Sequence, residues 1–233
     1  GQLYTRIRSY GDAISYYQEA IKIDPAFAPA YLAMGFLYSK MNRTEESKEY
    51  FKKYLDLNSS NISAQRRYAN MLINTEDYKG AIEQIHEIMK MDSISFNDLN
   101  RALAYSYFEE KEYPYARYYM DKFISKAPVD KITSKDYVYS GRIYIASGQD
   151  SIGILSLKKA FDLDTTNIDL LTEIASLYLK AKKPQNAGDI YKLRIMHSNG
   201  GVNDYYKMGR AYYDARNWTE ADSALAMVNR LSV

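Results

Sequence analysis

Residues with the means to do chemistry are few in this chain and poorly placed for it. There are two histidines, His86 and His197, and no cysteine, which excludes disulfides, thiol nucleophiles and thiolate metal sites. General acid–base catalysis needs two groups facing one pocket. The carboxylate pairs Glu45 with Glu46, Glu109 with Glu110 and Asp162 with Asp164 stand at turns, and adjacent helical residues point apart. They read as solvated charges and helix caps, and the histidines as surface or groove-edge residues. No phosphate-cradling glycine loop, nucleophile elbow or metal-ligand spacing is present. The expectation is a protein that is not an enzyme and has no catalytic residue, cofactor or metal.

What the chain does have is a period. Tyr31-x2-Met34-Gly35-x2-Tyr38, followed by Ser47-x3-Phe51-x2-Tyr54, returns as Tyr205-x2-Met208-Gly209-x2-Tyr212, followed by Ala221-x3-Leu225-x2-Val228. The first half puts apolar or small residues at i, i+3, i+4 and i+7, one face of a helix; the second half puts them at i, i+4 and i+7 of another. Small residues recur in the first helix (Gly35, Ala69, Ala104, Gly141, Ala175, Gly209) and in the second (Ala13, Ser47, Ala81, Ala116, Gly153, Ala187, Ala221), where they let paired helices approach closely. Successive small residues of the second helix lie 34, 34, 35, 37, 34 and 34 apart. A fixed period of this length predicts a stack of two-helix units, each touching its neighbours only. His86 and His197, three units apart, cannot converge in such a stack.

On these residues the chain resembles the tetratricopeptide repeat, a helix–turn–helix unit of about 34 residues with an aromatic, Leu-Gly, Tyr, Ala, Phe and Pro signature. Tyrosine stands for the opening tryptophan at Tyr31, Tyr137 and Tyr205, while Gln65, Asn100 and Leu171 depart from it; the closing proline survives as Pro25 and Pro128. The resemblance implies an all-α, right-handed superhelical solenoid, with first helices lining a concave inner face. It divides the chain into seven repeats over residues 1–27, 28–61, 62–96, 97–133, 134–167, 168–201 and 202–233 of a single domain. The first repeat keeps only the tail of its first helix (Gly1, Tyr4), so both ends read as cut. One extra residue falls near 93–96, and a three-residue insertion at 127–134 predicts a bend or slip. All five prolines fall at predicted helix boundaries, and Gly148 reads as a helix stop.

Charge and composition narrow the partner. With 31 basic and 29 acidic residues, the chain lacks the basic footprint of a nucleic-acid binder, and pentatricopeptide RNA-reading repeats are set aside. No apolar run approaches the roughly 18 residues of a membrane span. Tyrosine is the outlier, 25 against seven phenylalanines. Sixteen occupy signature or turn positions and so pack; Tyr16, Tyr50, Tyr115, Tyr118 and Tyr119 fall on second helices as outer or edge residues.

Tyr105, Tyr139, Tyr206 and Tyr213 fall on first helices, on the side that lines the groove in tetratricopeptide arrays. The same side carries Arg66, Asn70, Arg101, Lys135, Arg142, Lys207 and Arg210, with Asp98, Asp169 and Glu173 as counterweight. Tyrosine and arginine dominate binding hot spots, so the expected partner is a protein or peptide with acidic groups. Arg66 and Asn70 resemble the opening pair of a carboxylate clamp found in chaperone-binding members, but Ala102 stands where the next asparagine would be, and the clamp is not carried over. Two alternatives to a plain interaction scaffold remain. One is a regulatory or substrate-presenting arm of a larger enzyme or signalling protein. The other is self-association through the last repeat, where Ala221, Leu225 and Val228 are expected to leave an apolar end. The Tyr, Asn, Ser and Asp flavour resembles tetratricopeptide proteins of bacterial cell envelopes.

Overall fold

A computed structural model of the chain describes residues 10–59, 61–91 and 97–232. The first-helix residues Gly1 and Tyr4 and the extra residue near 93–96 lie outside that set. Among the described residues the fold is all-α, with no strand. In order the helices are α1 Tyr10–Ile23, α2 Ala28–Lys40, α3 Thr44–Asp56, α4 Ile62–Asn74, α5 Tyr78–Met91, α6 Asn97–Glu109 and α7 Tyr113–Lys126. After a 3₁₀ turn at Val129–Lys131 come α8 Ser134–Ala146, α9 Asp150–Leu163, α10 Asp169–Lys180, α11 Pro184–His197, α12 Val202–Asp214 and α13 Trp218–Leu231. They form two compact units, residues 1–112 and 113–233. Within each unit a helix packs against the next one in sequence, and the short connections make each pair an antiparallel hairpin.

The turn inside each pair has one recurring geometry. Asn42, Glu76, Lys111, Gly148, Lys182 and Arg216 all take positive φ, between 56° and 77°. The amide after each donates to a carbonyl five residues back: Arg43 to Tyr38, Asp77 to Leu72, Glu112 to Tyr107, Gln149 to Tyr144, Lys183 to Tyr178 and Asn217 to Tyr212, all at 2.8–2.9 Å. This is the Schellman closure, which satisfies carbonyls that a helix end would otherwise leave unpaired. The accepting residue is the last position of the first-helix signature, so one period sets both the packing face and the stop.

Close approach depends on the small residues. A Cβ on Gly35 would lie 2.6 Å from the Phe51 ring, and one on Gly209 would lie 2.9 Å from the Leu225 side chain. In the first unit Phe51, Tyr68, Met71, Leu72 and Ala81 share a core. The second unit's core runs from Ile154 and Leu157 through Leu170, Ile174, Ile190 and Tyr191 to Tyr212 and Ala224. Where the signature aromatic is replaced by Gln65, the buried amide is bonded at both ends, donating to the Ser59 carbonyl at 2.7 Å and accepting from Gln84 at 2.9 Å. The insertion at 127–134 is taken up by the 3₁₀ turn, the buried Ile132 and a capping box in which Thr133 and Asp136 satisfy each other's amides.

Candidate partner-binding surface

The sequence-predicted surface residues sit on first helices, at positions turned away from the core. In the first unit, Arg66 and Asn70 are on α4 and Arg101 and Tyr105 on α6. Arg66 is ion-paired with Asp98 across to α6, so this cation joins two repeats. Asn70 is exposed, and Arg101 and Tyr105 are half-buried. In the second unit, α8 carries Lys135, Tyr139 and Arg142, with the Lys135 ammonium 5.8 Å from the Tyr139 ring centre. Arg142 grips Glu173 of α10 with two parallel bonds of 3.2 and 2.9 Å, again linking neighbouring repeats. The expected acidic counterweights Asp98 and Glu173 are thus in place, and they take up two of the predicted arginines.

Helix α12 differs. Tyr206 and Tyr213 are 47% and 56% exposed, spaced so that both share one helical face with Arg210. The neighbouring Tyr206 hydroxyl, and then Asp214 at 3.8 Å, favour the charged form of Arg210. Sequence reasoning missed Trp218, the sole tryptophan. It opens α13, is 57% exposed, and stands edge-on to Tyr213 with ring centres 5.2 Å apart. A tryptophan directly after the inner turn, three residues before the small residue Ala221 where Tyr78 and Tyr113 precede Ala81 and Ala116, is the signal that would have found it.

The remaining chemistry-bearing residues are in structural use. His86 is half-buried, not a surface group, and its Nε2 lies 2.9 Å from the Tyr107 hydroxyl. Burial lowers its pKa. His197 meets the Phe161 ring edge-on at 5.1 Å. Glu46 pairs with Arg43 and Glu45 with Lys48, while Asp164 accepts from the Thr166 amide. Tyr16, Tyr115 and Tyr118 are exposed as expected of outer residues. Tyr50 is half-buried instead, stacked on Tyr38 of the same hairpin at 5.3 Å. Of the expected apolar end of α13, Ala221 is buried, while Leu225, which packs toward Gly209 of α12, and Val228 are half-buried. No helix among the described residues is long and apolar enough to cross a membrane.

Comparison with known proteins identifies the kind of repeat. Models of the tetratricopeptide repeat match residues 1–42, 28–61 and 205–230. The chain carries tetratricopeptide repeats. It is similar to the C-terminal part of a TPR repeat-containing protein from Cytophaga hutchinsonii, at 28% identity and a TM-score of 0.57, over 71% of this chain and 64% of that one. It shares its fold with YrrB, a TPR protein described as having an unusual peptide-binding site, at 16% identity and a TM-score of 0.61 over 82% of this chain and 96% of YrrB. Human Protein O-mannosyl-transferase TMTC3 is 26% identical over 186 residues, which is 76% of this chain and 19% of that protein. The tetratricopeptide chain therefore spans about a fifth of that curated relative.

Proposed function

We propose that this tetratricopeptide chain is a non-catalytic scaffold that binds a peptide or protein partner in the groove lined by its first helices, through Tyr and Arg side chains. The observation that carries the reading is the exposure of Tyr206 and Tyr213 on either side of Arg210, the residue types that supply most binding energy at interfaces. The peptide-binding description of YrrB supports it, and the near balance of 31 basic and 29 acidic residues speaks against nucleic acid. An array of short peptides, probed at two salt concentrations, tests it. Acidic peptides are expected to hold the chain at low salt and to release it as salt screens the contact. Retention of acidic and basic peptides alike, or of neither, overturns the reading.

A second reading is favoured by one observation, the 26% identity to a stretch that makes up 19% of a transferase. In that reading the repeats are the arm that presents substrates to a larger enzyme, and the mass of the native protein separates the two. A cell-envelope location rests on composition alone, and fractionation of the producing cells tests it.

A further inference from the structure

Among the cations named on the first helices, Arg66 and Arg142 are spent on joining repeats, which leaves unequal capacity for a ligand. Around α12 the arrangement is the reverse. Lys207, Arg210 and Arg216 lie on α12 and the turn after it. Among the described residues no ion pair engages Lys207 or Arg216, and Arg210 is held only loosely by Asp214 at 3.8 Å. The other carboxylate of this helix, Asp204, is taken by Arg194 of α11. Arg216 is the left-handed residue of its turn, with φ 61°, and is exposed between Tyr213 and Trp218 in sequence. Three cations and the carboxylate of Asp214 thus lie along the same stretch of chain as three exposed aromatic rings, Tyr206, Tyr213 and Trp218.

The two rings at the turn make a corner. Tyr213 and Trp218 meet at 76°, leaving ring surface in water that a partner's apolar side chain would cover, and each ring brings a hydrogen-bonding tip. A corner of this kind takes a side chain, and the cations around it take carboxylates on either side. We infer that the α12 face, with Trp218 at its rim, is the recognition site for an acidic peptide segment that carries a large apolar anchor, the anchor seated in the Tyr213–Trp218 corner and its flanking carboxylates on Lys207, Arg210 and Arg216. This rests on the groove-binding reading above and narrows it to one helix and one turn. Arg66 and Arg142 belong to the scaffold and not to the site.

The sole tryptophan makes the inference directly testable, because any change in intrinsic tryptophan emission comes from Trp218. The probe is a fluorescein-labelled, capped hexapeptide Glu-Glu-Leu-Phe-Glu-Glu, with Lys-Lys-Leu-Phe-Lys-Lys as control. Label anisotropy reports binding anywhere on the chain; emission from Trp218, read with the unlabelled peptide, reports binding at the corner. The acidic peptide is expected to raise anisotropy and shift Trp218 emission over the same concentration range, and the basic peptide to do neither. Arg210→Glu/Arg216→Glu is expected to weaken binding at least tenfold, while Arg66→Glu/Arg142→Glu keeps it within about twofold, with circular dichroism confirming that both variants fold. Binding that leaves Trp218 emission unchanged, or that is lost in the second variant and kept in the first, overturns the inference but leaves groove binding standing. Absence of binding to either peptide overturns both.

Discussion

At the scale of single residues, stability rests on large side chains seated against missing Cβ atoms. Phe51 is fully buried, edge-on to Phe36 at 5.0 Å and against Tyr68 of the next repeat at 6.0 Å. Phe51→Ala is expected to cost about 3–5 kcal/mol, read as a lower denaturant midpoint; an unchanged midpoint contradicts the packing register. The tyrosines at the end of the first-helix signature add a pH dependence. Burial, and then a 2.5 Å bond to Asp121, push the Tyr144 phenol up to about 12; Tyr212, buried and bonded to Asp189, is raised as well. In the unfolded chain these phenols ionise near pH 10, so the unfolded state gives up protons first and gains relative to the fold. Their contribution is complete below about pH 10 and is lost as pH rises through about 12. Tyr144→Phe is expected to flatten the alkaline fall in melting temperature over that window. His86 acts at the other end: its lowered pKa means that the fold resists protonation, so stability falls as pH drops below about 6.5.

At the scale of elements, the inner turn is the least legible feature of the sequence. Gly148 could be read as a left-handed helix stop, because glycine takes that conformation at little cost. Glu76, Lys111, Lys182 and Arg216 occupy the same conformation with no residue-type signal, since the closure bonds are made by backbone alone. A left-handed non-glycine residue carries about 1–2 kcal/mol of strain, against about 0.5–1 kcal/mol that glycine loses from its freer unfolded state. Lys182→Gly is therefore expected to stabilise by about 0.5–1 kcal/mol, a gain of about 2 °C in melting temperature. Gly148→Ala is the converse test. A Cβ there meets nothing within 4 Å, so any loss, expected at about 1 kcal/mol, is pure backbone strain.

At the scale of the whole molecule, each compact unit contains its own buried cluster, and in a repeat array stability is approximately a sum over units and their contacts. Residues 113–233 expressed alone are expected to give a helical spectrum and a cooperative melt below that of the full chain. A random-coil spectrum would show that the second unit depends on the first. Within units, neighbouring repeats are tied by Lys48 to Asp77 at 2.6 Å and Lys192 to Glu220 at 3.1 Å, as well as by the Arg66 and Arg142 pairs. Such partly exposed pairs contribute little each; only the Arg66 and Arg142 pairs take charge from the first helices.

By itself the sequence determined that the chain is a helical repeat, because the 3.6-residue period and the spacing near 34 are properties of order along the chain. It also determined which small residues let helices meet. It offered first-helix residues as candidates for a partner, but it could not say which of them are paired with a neighbouring repeat. Arg66 and Asp98 are 32 residues apart, Arg142 and Glu173 are 31 apart, and whether such groups meet depends on how one repeat is set against the next. Tertiary structure decided that two predicted arginines are neutralised, that His86 and Tyr50 are packing residues, and that Trp218 stands exposed beside Tyr213. The physical reason is the same each time: periodicity assigns a side chain to a face, whereas ion pairing and ring contact need coordinates that only the packed helices supply.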